Sequence, residues 1–175
     1  MAELSAEELA KIFFEYGEEP RSRAVARAIV QTRETEPIRT TGELRTLGAT
    51  AIGGRRDEGR DPATRVFQAL RIATNRELVE LGRFLDDAIA RLSLGARLAV
   101  LSYHSLEDRI VKHSLRRLAG ACVCPPEAPE CRCNPQQLVE ILTSRAERPA
   151  ADEVAANPRA RSARLRVARR LGAEA

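Results

Sequence analysis

Residues 98–118 read LAVLSYHSLEDRIVKHSLRRL, and this stretch decides how the second half of the chain folds. The stretch begins within an apolar run over residues 97–101. This run predicts a short strand that is buried on both faces. The polar and aromatic residues SYHS follow at once, and charged residues then recur at helical spacing. Ser105 with Asp108 predicts a capping box at the start of that helix. Because ligands of open α/β sheets bind beyond the carboxyl ends of strands, SYHS occupies a position suited to chemistry.

Helix signals dominate the chain before this stretch. The segments SAEE (5–8) and TTGE (40–43) have capping-box spacing and predict the starts of two short helices. A helix between them is predicted from about Pro20 to Arg33. Asp61-Pro62 predicts the start of a longer helix that continues to about residue 92, with a kink near residues 74–75.

Two further strands are predicted after the helix, over residues 138–143 and 163–171. In the second of these, Leu165 and Val167 alternate with arginines, which predicts apolar side chains facing inward and a row of guanidinium groups facing outward. The order helix, strand, helix, strand, strand is that of the second half of an open α/β sheet. The fold class predicted is therefore α/β.

Arginine dominates the charge of the chain. The basic residues number 29, only two of them lysines, against 25 acidic residues, and the formal net charge is +4. Arginine suits bidentate phosphate contacts, but a GC-biased, arginine-rich genome explains the excess equally well.

No apolar run approaches the roughly 18 residues of a membrane span, and Glu3, Glu7 and Glu8 stand where a signal peptide has positive charge. We therefore expect a cytoplasmic protein with reduced cysteines and with no membrane or DNA partner.

Four stretches resemble one family. SYHSLEDRIVK (102–112) resembles the signature of the MraW-type methyltransferases, also called the small-subunit ribosomal RNA methyltransferase H family. The segments 4–30, 63–81 and 157–170 resemble that family's inserted helical domain, the helix before its signature strand, and its C-terminal segment. The resemblance implies a Rossmann-like fold and methyl transfer from S-adenosylmethionine to N4 of a cytidine in 16S ribosomal RNA, near the decoding centre.

The donor-binding features of that family are not found in this sequence. A Gly-rich loop that holds a cofactor needs a strand before it and a helix after it, whereas Gly53-Gly54 follows no predicted strand and precedes Arg-Arg-Asp. We therefore expect residues 1–60 to be part of the inserted, substrate-recognition helical domain and residues 61–175 to be the C-terminal half of the methyltransferase domain. The chain is then a fragment without its S-adenosylmethionine site, inactive alone and with an uncovered strand edge.

His104 is the candidate catalytic residue, because an imidazole beyond a strand end can contact a flipped cytosine or accept a proton. A structural role in the strand–helix turn is an equal alternative. The candidates for substrate or RNA binding have polar or cationic side chains within the recognised segments: Asn75, Ser102, His104, Glu107, Arg109, Asn157, Arg159, Arg161, Arg164 and Arg166. The alternative for the arginine row is protection of an edge strand from aggregation.

The cysteines form two closely spaced pairs: Cys122, Cys124, Cys131 and Cys133. Four thiolates can hold a tetrahedral zinc, although C-x-C is a strained spacing for one metal. Unligated thiols are the favoured alternative. Two other classes of function also remain open at this point: a non-enzymatic module that binds small-subunit ribosomal RNA, and a zinc-clipped interaction domain.

Overall fold

The computed structural model describes residues 3–53, 61–122, 124 and 136–172. Over these ranges no helix combines the length and the apolar composition needed to cross a bilayer. The chain forms two compact units, Met1–Glu77 and Leu78–Ala175. The sequence predicts a domain boundary near residue 60. The contacts within the structure instead group the helix Thr64–Asn75 with the first unit. The assignment of either unit to an inserted domain stays a prediction.

Within residues 3–53 and 61–77, the first unit contains four helices. They are α1 (Ala6–Glu15), α2 (Ser22–Thr35), α3 (Thr41–Ile52) and α4 (Thr64–Asn75). Both predicted capping boxes are confirmed. The hydroxyl of Ser5 accepts from the Glu8 N–H at 3.2 Å, and the Glu8 carboxylate accepts from the Ser5 N–H at 2.7 Å. Thr40 and Glu43 make the same reciprocal pair at the start of α3. Each cap stabilises its helix by about 1 kcal/mol.

Two predicted helix starts are wrong by a few residues. The second helix begins at Ser22 rather than near Pro20. The fourth begins at Thr64 because Asp61 forms a turn before the helix: its carboxylate accepts from the Ala63 N–H at 2.9 Å. The predicted kink near residue 75 is a complete break. Arg76 has a φ of +54°, a left-handed conformation that ends one helix before the next begins.

The core of the first unit is built from the apolar faces of its helices. Its fully buried members include Leu9 and Phe13 of α1, Val25 and Ile29 of α2, and Val66 of α4. The spacing of four residues within α1 and within α2 places each pair on one helix face. Gly17 allows α1 to end against α4, since a Cβ there would lie 2.7 Å from the carbonyl oxygen of Arg65.

The second unit combines helices with a small sheet. Its elements are α5 (Glu77–Arg91, beginning at the boundary), β1 (Arg97–Ser102), α6 (Ser105–Leu118), β2 (Val139–Ile141), α7 (Ala151–Ala156), a 3-10 helix (Pro158–Ser162) and β3 (Arg164–Arg170). The strand order is β1-β3-β2, and both pairings are antiparallel. All three predicted strands are present, with β2 shorter than the predicted 138–143. A mixed helix and sheet unit is consistent with the predicted α/β class.

The prediction that β1 is buried on both faces is wrong. Leu98 and Val100 pack against the core formed by α5, α6 and the other strands. On the opposite face Leu101 is 51% exposed. Among the described residues, β1 pairs with β3 along one edge and with no strand along the other.

The orientation predicted for β3 is also wrong. Ala168 is fully buried in the core against α5 and α6, and Arg166 shares its face and is 9% exposed. The guanidinium of Arg170, on the same face, donates to the carbonyl oxygen of Ile89. The even-numbered residues of β3 therefore point inward, and Leu165 and Val167 lie on the outer face.

The neighbouring phenylalanines of α1 test the core of the first unit. Phe13 is fully buried and Phe14 is 64% exposed. We expect Phe13→Ala to lower the free energy of unfolding of this unit by about 3–5 kcal/mol, because it leaves a cavity. The matched Phe14→Ala should change it by less than about 0.5 kcal/mol. Amide hydrogen exchange of α1 and α2 measures both values, and equal effects of the two substitutions would contradict this packing.

Candidate functional site

Three segments of the second unit meet at the carboxyl end of β1. Ser102, the last residue of β1, pairs in register with Arg164, the first residue of β3. Helix α6 begins three residues after the end of β1, and the 3-10 helix ends two residues before β3. We call residues 102–108, Arg164 and Arg166 the β1–α6 junction. This is the strand end at which the sequence placed the site.

His104 is the N-cap of α6. Its Nδ1 atom accepts a hydrogen bond from the Glu107 N–H at 3.3 Å. The capping box predicted for Ser105 and Asp108 is therefore wrong, and His104 performs that capping role one residue earlier. An accepting Nδ1 requires a neutral ring with its proton on Nε2. That Nε2 atom is buried and lies 3.2 Å from Oε1 of Glu107, in a poor alignment for a hydrogen bond.

Glu107 closes the turn from the other side. Its Oε2 atom accepts from the Tyr103 N–H at 2.9 Å, and its side chain is 25% exposed. Burial raises the pKa of Glu107, but the side-chain contact with His104 and the hydrogen bond from Tyr103 outweigh burial. The net pKa of this carboxyl therefore lies below its ordinary value of 4.5. Glu107 is an ionised carboxylate that still reaches solvent.

Asp108 joins α6 to β3. Arg166 donates to both of its carboxylate oxygens, from Nε at 2.6 Å and from Nη2 at 3.2 Å, and Arg164 donates from Nη1 at 3.1 Å. The hydrogen bonds from Arg166 lower the pKa of Asp108 below its ordinary value of 3.8, against the opposing effect of burial, and Arg164 lowers it further. The predicted outward row of arginines is therefore wrong at positions 164 and 166, because both guanidinium groups bind this carboxylate.

Ser102 is engaged within the protein as well. It is 4% exposed, and its hydroxyl donates to the carbonyl oxygen of Arg164 at 3.3 Å. Ser102, Arg164 and Arg166 thus hold β1, β3 and α6 together. Their contacts support a structural role at the junction, and a direct contact with RNA stays a prediction for them.

The other candidates lie outside the β1–α6 junction. Arg159 and Arg161 are exposed on the 3-10 helix, and the Asn157 side chain caps that helix by accepting from the Arg159 N–H at 3.2 Å. Arg109 is exposed on α6. Asn75 belongs to the first unit, at the end of α4, where its amide donates to Glu77 at 2.9 Å. Of the predicted site residues, the β1–α6 junction therefore contains Ser102, His104, Glu107, Arg164 and Arg166.

Sequence reasoning missed two residues here. The sequence predicts Asp108 as a capping partner, although an acid one turn into α6 and two arginines on alternate strand positions also suit an ion cluster. Tyr103 lies within SYHS but is not among the binding candidates from sequence, and it is 53% exposed at the strand end. The available signal was an aromatic residue in a chain with only 3% aromatics.

The described residues do not fit S-adenosylmethionine. Gly53 has a φ of +80° and ends helix α3, so it follows a helix and not a strand. Within the described ranges, no glycine lies between the end of a strand and the start of a helix. A backbone cradle for the donor is therefore not formed by these residues.

The zinc prediction has no support from the described part of the chain. Cys122 is exposed and Cys124 is half-buried. Cys131 and Cys133 lie outside the described residues. No group of four thiolates is thus shown.

The ion pair of Asp108 with Arg166 gives a stability prediction. Asp108→Asn leaves two guanidinium groups without their carboxylate, and we expect it to lower the free energy of unfolding by about 3 kcal/mol. The matched control is Glu140→Gln, which removes a carboxylate that pairs with Arg169 on the surface, both side chains being 44% exposed. This control should cost less than about 1 kcal/mol. Urea unfolding measures both, and similar values for the two would contradict the importance of the buried pair.

The same pair predicts a dependence on pH. Because folding depresses the pKa of Asp108, its contribution is complete above the ordinary value of 3.8 and is lost as pH falls through the folded value. The stability difference between the unsubstituted chain and Asp108→Asn should be constant from about pH 6 to 8 and should shrink below about pH 4. Urea unfolding at a series of pH values measures this difference. A gap that widens in acid would show that the sign is wrong.

Comparison with known proteins gives a consistent result over nearly the whole chain. Residues 1–171 match the MraW methylase family. The chain is 53% identical over 167 residues to the ribosomal RNA small subunit methyltransferase H of Thermomicrobium roseum, covering 95% of this chain and 51% of that protein. It is 51% identical over 169 residues to the protein of the same name from Syntrophotalea carbinolica, covering 96% and 54%. The chain spans about half the length of the curated relatives it matches. With a match that extends over both compact units, the chain belongs to the MraW methylase family.

Proposed function

We propose that this chain is the substrate-side part of an S-adenosylmethionine-dependent methyltransferase that modifies N4 of a cytidine in 16S ribosomal RNA, in the cytoplasm. The single observation that carries the proposal is the family match over residues 1–171, with relatives named as methyltransferases of small-subunit ribosomal RNA. The β1–α6 junction supports it, because SYHSLEDRIVK forms an ordered site at a strand end. The exocyclic amine of cytidine is a weak nucleophile, since its lone pair is delocalised into the ring.

Glu107 is the residue in the junction best suited to accept a proton from that amine. It is ionised, partly exposed, and held in place by the Tyr103 N–H at 2.9 Å. Each carboxylate oxygen can accept more than one hydrogen bond, so the bond from Tyr103 leaves acceptor capacity. A positioned acceptor of this kind typically contributes about 100-fold or more to a rate.

His104 has a different task in this proposal. Its Nδ1 caps α6, and its Nε2 lies beside Glu107. An imidazole in this tautomer has no lone pair free to take a proton from the substrate. We therefore assign His104 the role of positioning Glu107, while the sequence-based role as proton acceptor stays a prediction.

The methyl donor requires residues other than those described. We place its site in the half of the relatives that this chain does not cover. The 175-residue chain alone should then neither bind S-adenosylmethionine tightly nor methylate RNA.

A chimera tests this proposal. The part of the Thermomicrobium roseum relative that this chain does not cover is joined to the chain, and methylation is measured with tritiated S-adenosylmethionine and 16S ribosomal RNA or small subunits. We expect the chimera to form N4-methylcytidine, identified by mass spectrometry of nucleosides, and the chain alone to form none. Micromolar binding of the donor to the chain alone, or a folded chimera that binds the donor and methylates no ribosomal RNA, would contradict the proposal.

Two substitutions in the chimera separate the roles of Glu107 and His104. Glu107→Gln keeps the shape of the side chain but cannot take a proton, and we expect kcat to fall by about 100-fold or more. His104→Asn keeps a good N-cap and should lower kcat by less than about tenfold. A loss for His104→Asn as large as that for Glu107→Gln would assign proton acceptance to the imidazole.

An RNA-binding module without catalysis is the second candidate function. Exposed Arg159 and Arg161 near the junction favour it. A chimera that binds ribosomal RNA in a salt-dependent way without methylating it would support this alternative.

A further inference from the structure

Tyr103 presents an exposed ring between two buried neighbours. It is 53% exposed, whereas Ser102 before it is 4% exposed and the His104 side chain after it is 11% exposed. The hydrogen bond from its N–H to Glu107 fixes the backbone at this point. The ring is therefore carried on a hydrogen-bonded turn at the carboxyl end of β1.

The ring makes no contribution to the core of the second unit. That core consists of aliphatic residues from α5, α6, β2 and β3, with Leu98 and Val100 of β1 packed against it. The whole chain has four phenylalanines, two tyrosines and no tryptophan. One of six aromatic residues thus stands in solvent at the junction, where packing does not require it.

Exposed cations surround the same end of the sheet. Ser102 pairs with Arg164, and the 3-10 helix that carries Arg159 and Arg161 ends two residues before Arg164, so it leads into this strand end. The reciprocal backbone bonds of Glu147 with Leu165, at 3.0 and 2.9 Å, bring residues 145–148 to this end as well.

Four arginines of this region are exposed and have no carboxylate partner among the described residues: Arg145, Arg148, Arg159 and Arg161. Arg164 and Arg166 differ from them, because both pair with Asp108. These four arginines can therefore bind an anion, although Glu147, Asp152 and Glu153 are also exposed on the same segments.

We propose that Tyr103 is the stacking platform for an unpaired base of the RNA substrate, with Arg159 and Arg161 binding the adjacent phosphates. The inference rests on the proposed function and names the contact that holds the substrate. Aromatic rings beside arginines are the usual means of binding single-stranded RNA, because every base has a face that stacks and phosphates supply the opposite charge. A protein partner that covers the apolar outer face around Leu101 is an outcome of the test below.

Tyrosine fluorescence provides a direct readout of stacking. In a Tyr16→Phe background of the full 175-residue chain, Tyr103 is the only tyrosine, and there is no tryptophan. We expect a short single-stranded oligocytidylate to quench this fluorescence. Inorganic polyphosphate, which carries the charge without bases, should bind and leave the fluorescence nearly unchanged. Equal quenching by the two polyanions would overturn the stacking role.

Affinity for the oligocytidylate supplies the second readout. Tyr103→Phe keeps the ring and should bind within about twofold of the unsubstituted chain, whereas Tyr103→Leu should bind about 5- to 100-fold more weakly. Because the side chain is half exposed, neither substitution should unfold the chain, and circular dichroism checks this. Substituting Arg159 and Arg161 by Gln should reduce the slope of log Kd against log salt by about 0.7 for each phosphate that the variant no longer neutralises, while saturating RNA still quenches Tyr103.

The outcomes separate the two proposals. If a mobility shift shows RNA binding and Tyr103→Leu leaves its affinity unchanged, the stacking role is wrong and RNA binding stands. If the chain and the chimera both fail to bind RNA at low salt, the stacking role and the proposed function both fail. If Tyr103 fluorescence changes with protein concentration in the absence of RNA, this surface is an interface between proteins, and the stacking role is wrong.

Discussion

A carboxylate held between two arginines joins helix α6 to the sheet of the second unit. Asp108 lies in the first turn of α6, and its partners Arg166 and Arg164 lie on β3, which in turn pairs with both β1 and β2. The cluster is largely removed from water, so it stabilises the fold only because every charge in it has a partner. The position of α6 relative to the sheet, and therefore the turn that carries Tyr103, His104 and Glu107, follows from this contact.

The two adjacent carboxylates of α6 have opposite environments. Asp108 points into the protein and its charge is satisfied there, whereas Glu107 points to the strand end and keeps contact with solvent. Both pKa values are held low, but for different reasons: arginines act on Asp108, while a neighbouring imidazole and a backbone N–H act on Glu107. Of these two neighbouring residues, Asp108 thus anchors α6 to β3, whereas Glu107 keeps a carboxylate that is accessible to solvent.

Features determined by neighbouring residues were predictable, and those determined by distant residues were not. The caps of α1 and α3 depend on side chains three residues apart, and both predictions are confirmed. At α6 two pairs have this spacing, His104 with Glu107 and Ser105 with Asp108. Asp108 binds Arg166, a distant residue, and His104 is the N-cap.

The alternation in β3 indicated its strand character correctly. It gave the wrong orientation, because a partner for Arg166 lies 58 positions away and hydrophobic periodicity carries no information about it. The motif SYHSLEDRIVK was recognisable from sequence, while the contacts that each of its side chains makes required coordinates.

The inward arginines of β3 also determine which of two alternative pairings the strand can adopt. Shifting an antiparallel strand by one residue exchanges its faces, and for β3 that exchange would bury Leu165 and Val167 in place of the arginines. Apolar burial alone would favour the shifted pairing, which is the reverse of the usual situation in a sheet. The ion pairs of Asp108 with Arg164 and Arg166, and the hydrogen bond from Arg170 to Ile89, favour the observed one. The registry of this sheet is thus selected by electrostatics against the hydrophobic preference of its own central strand.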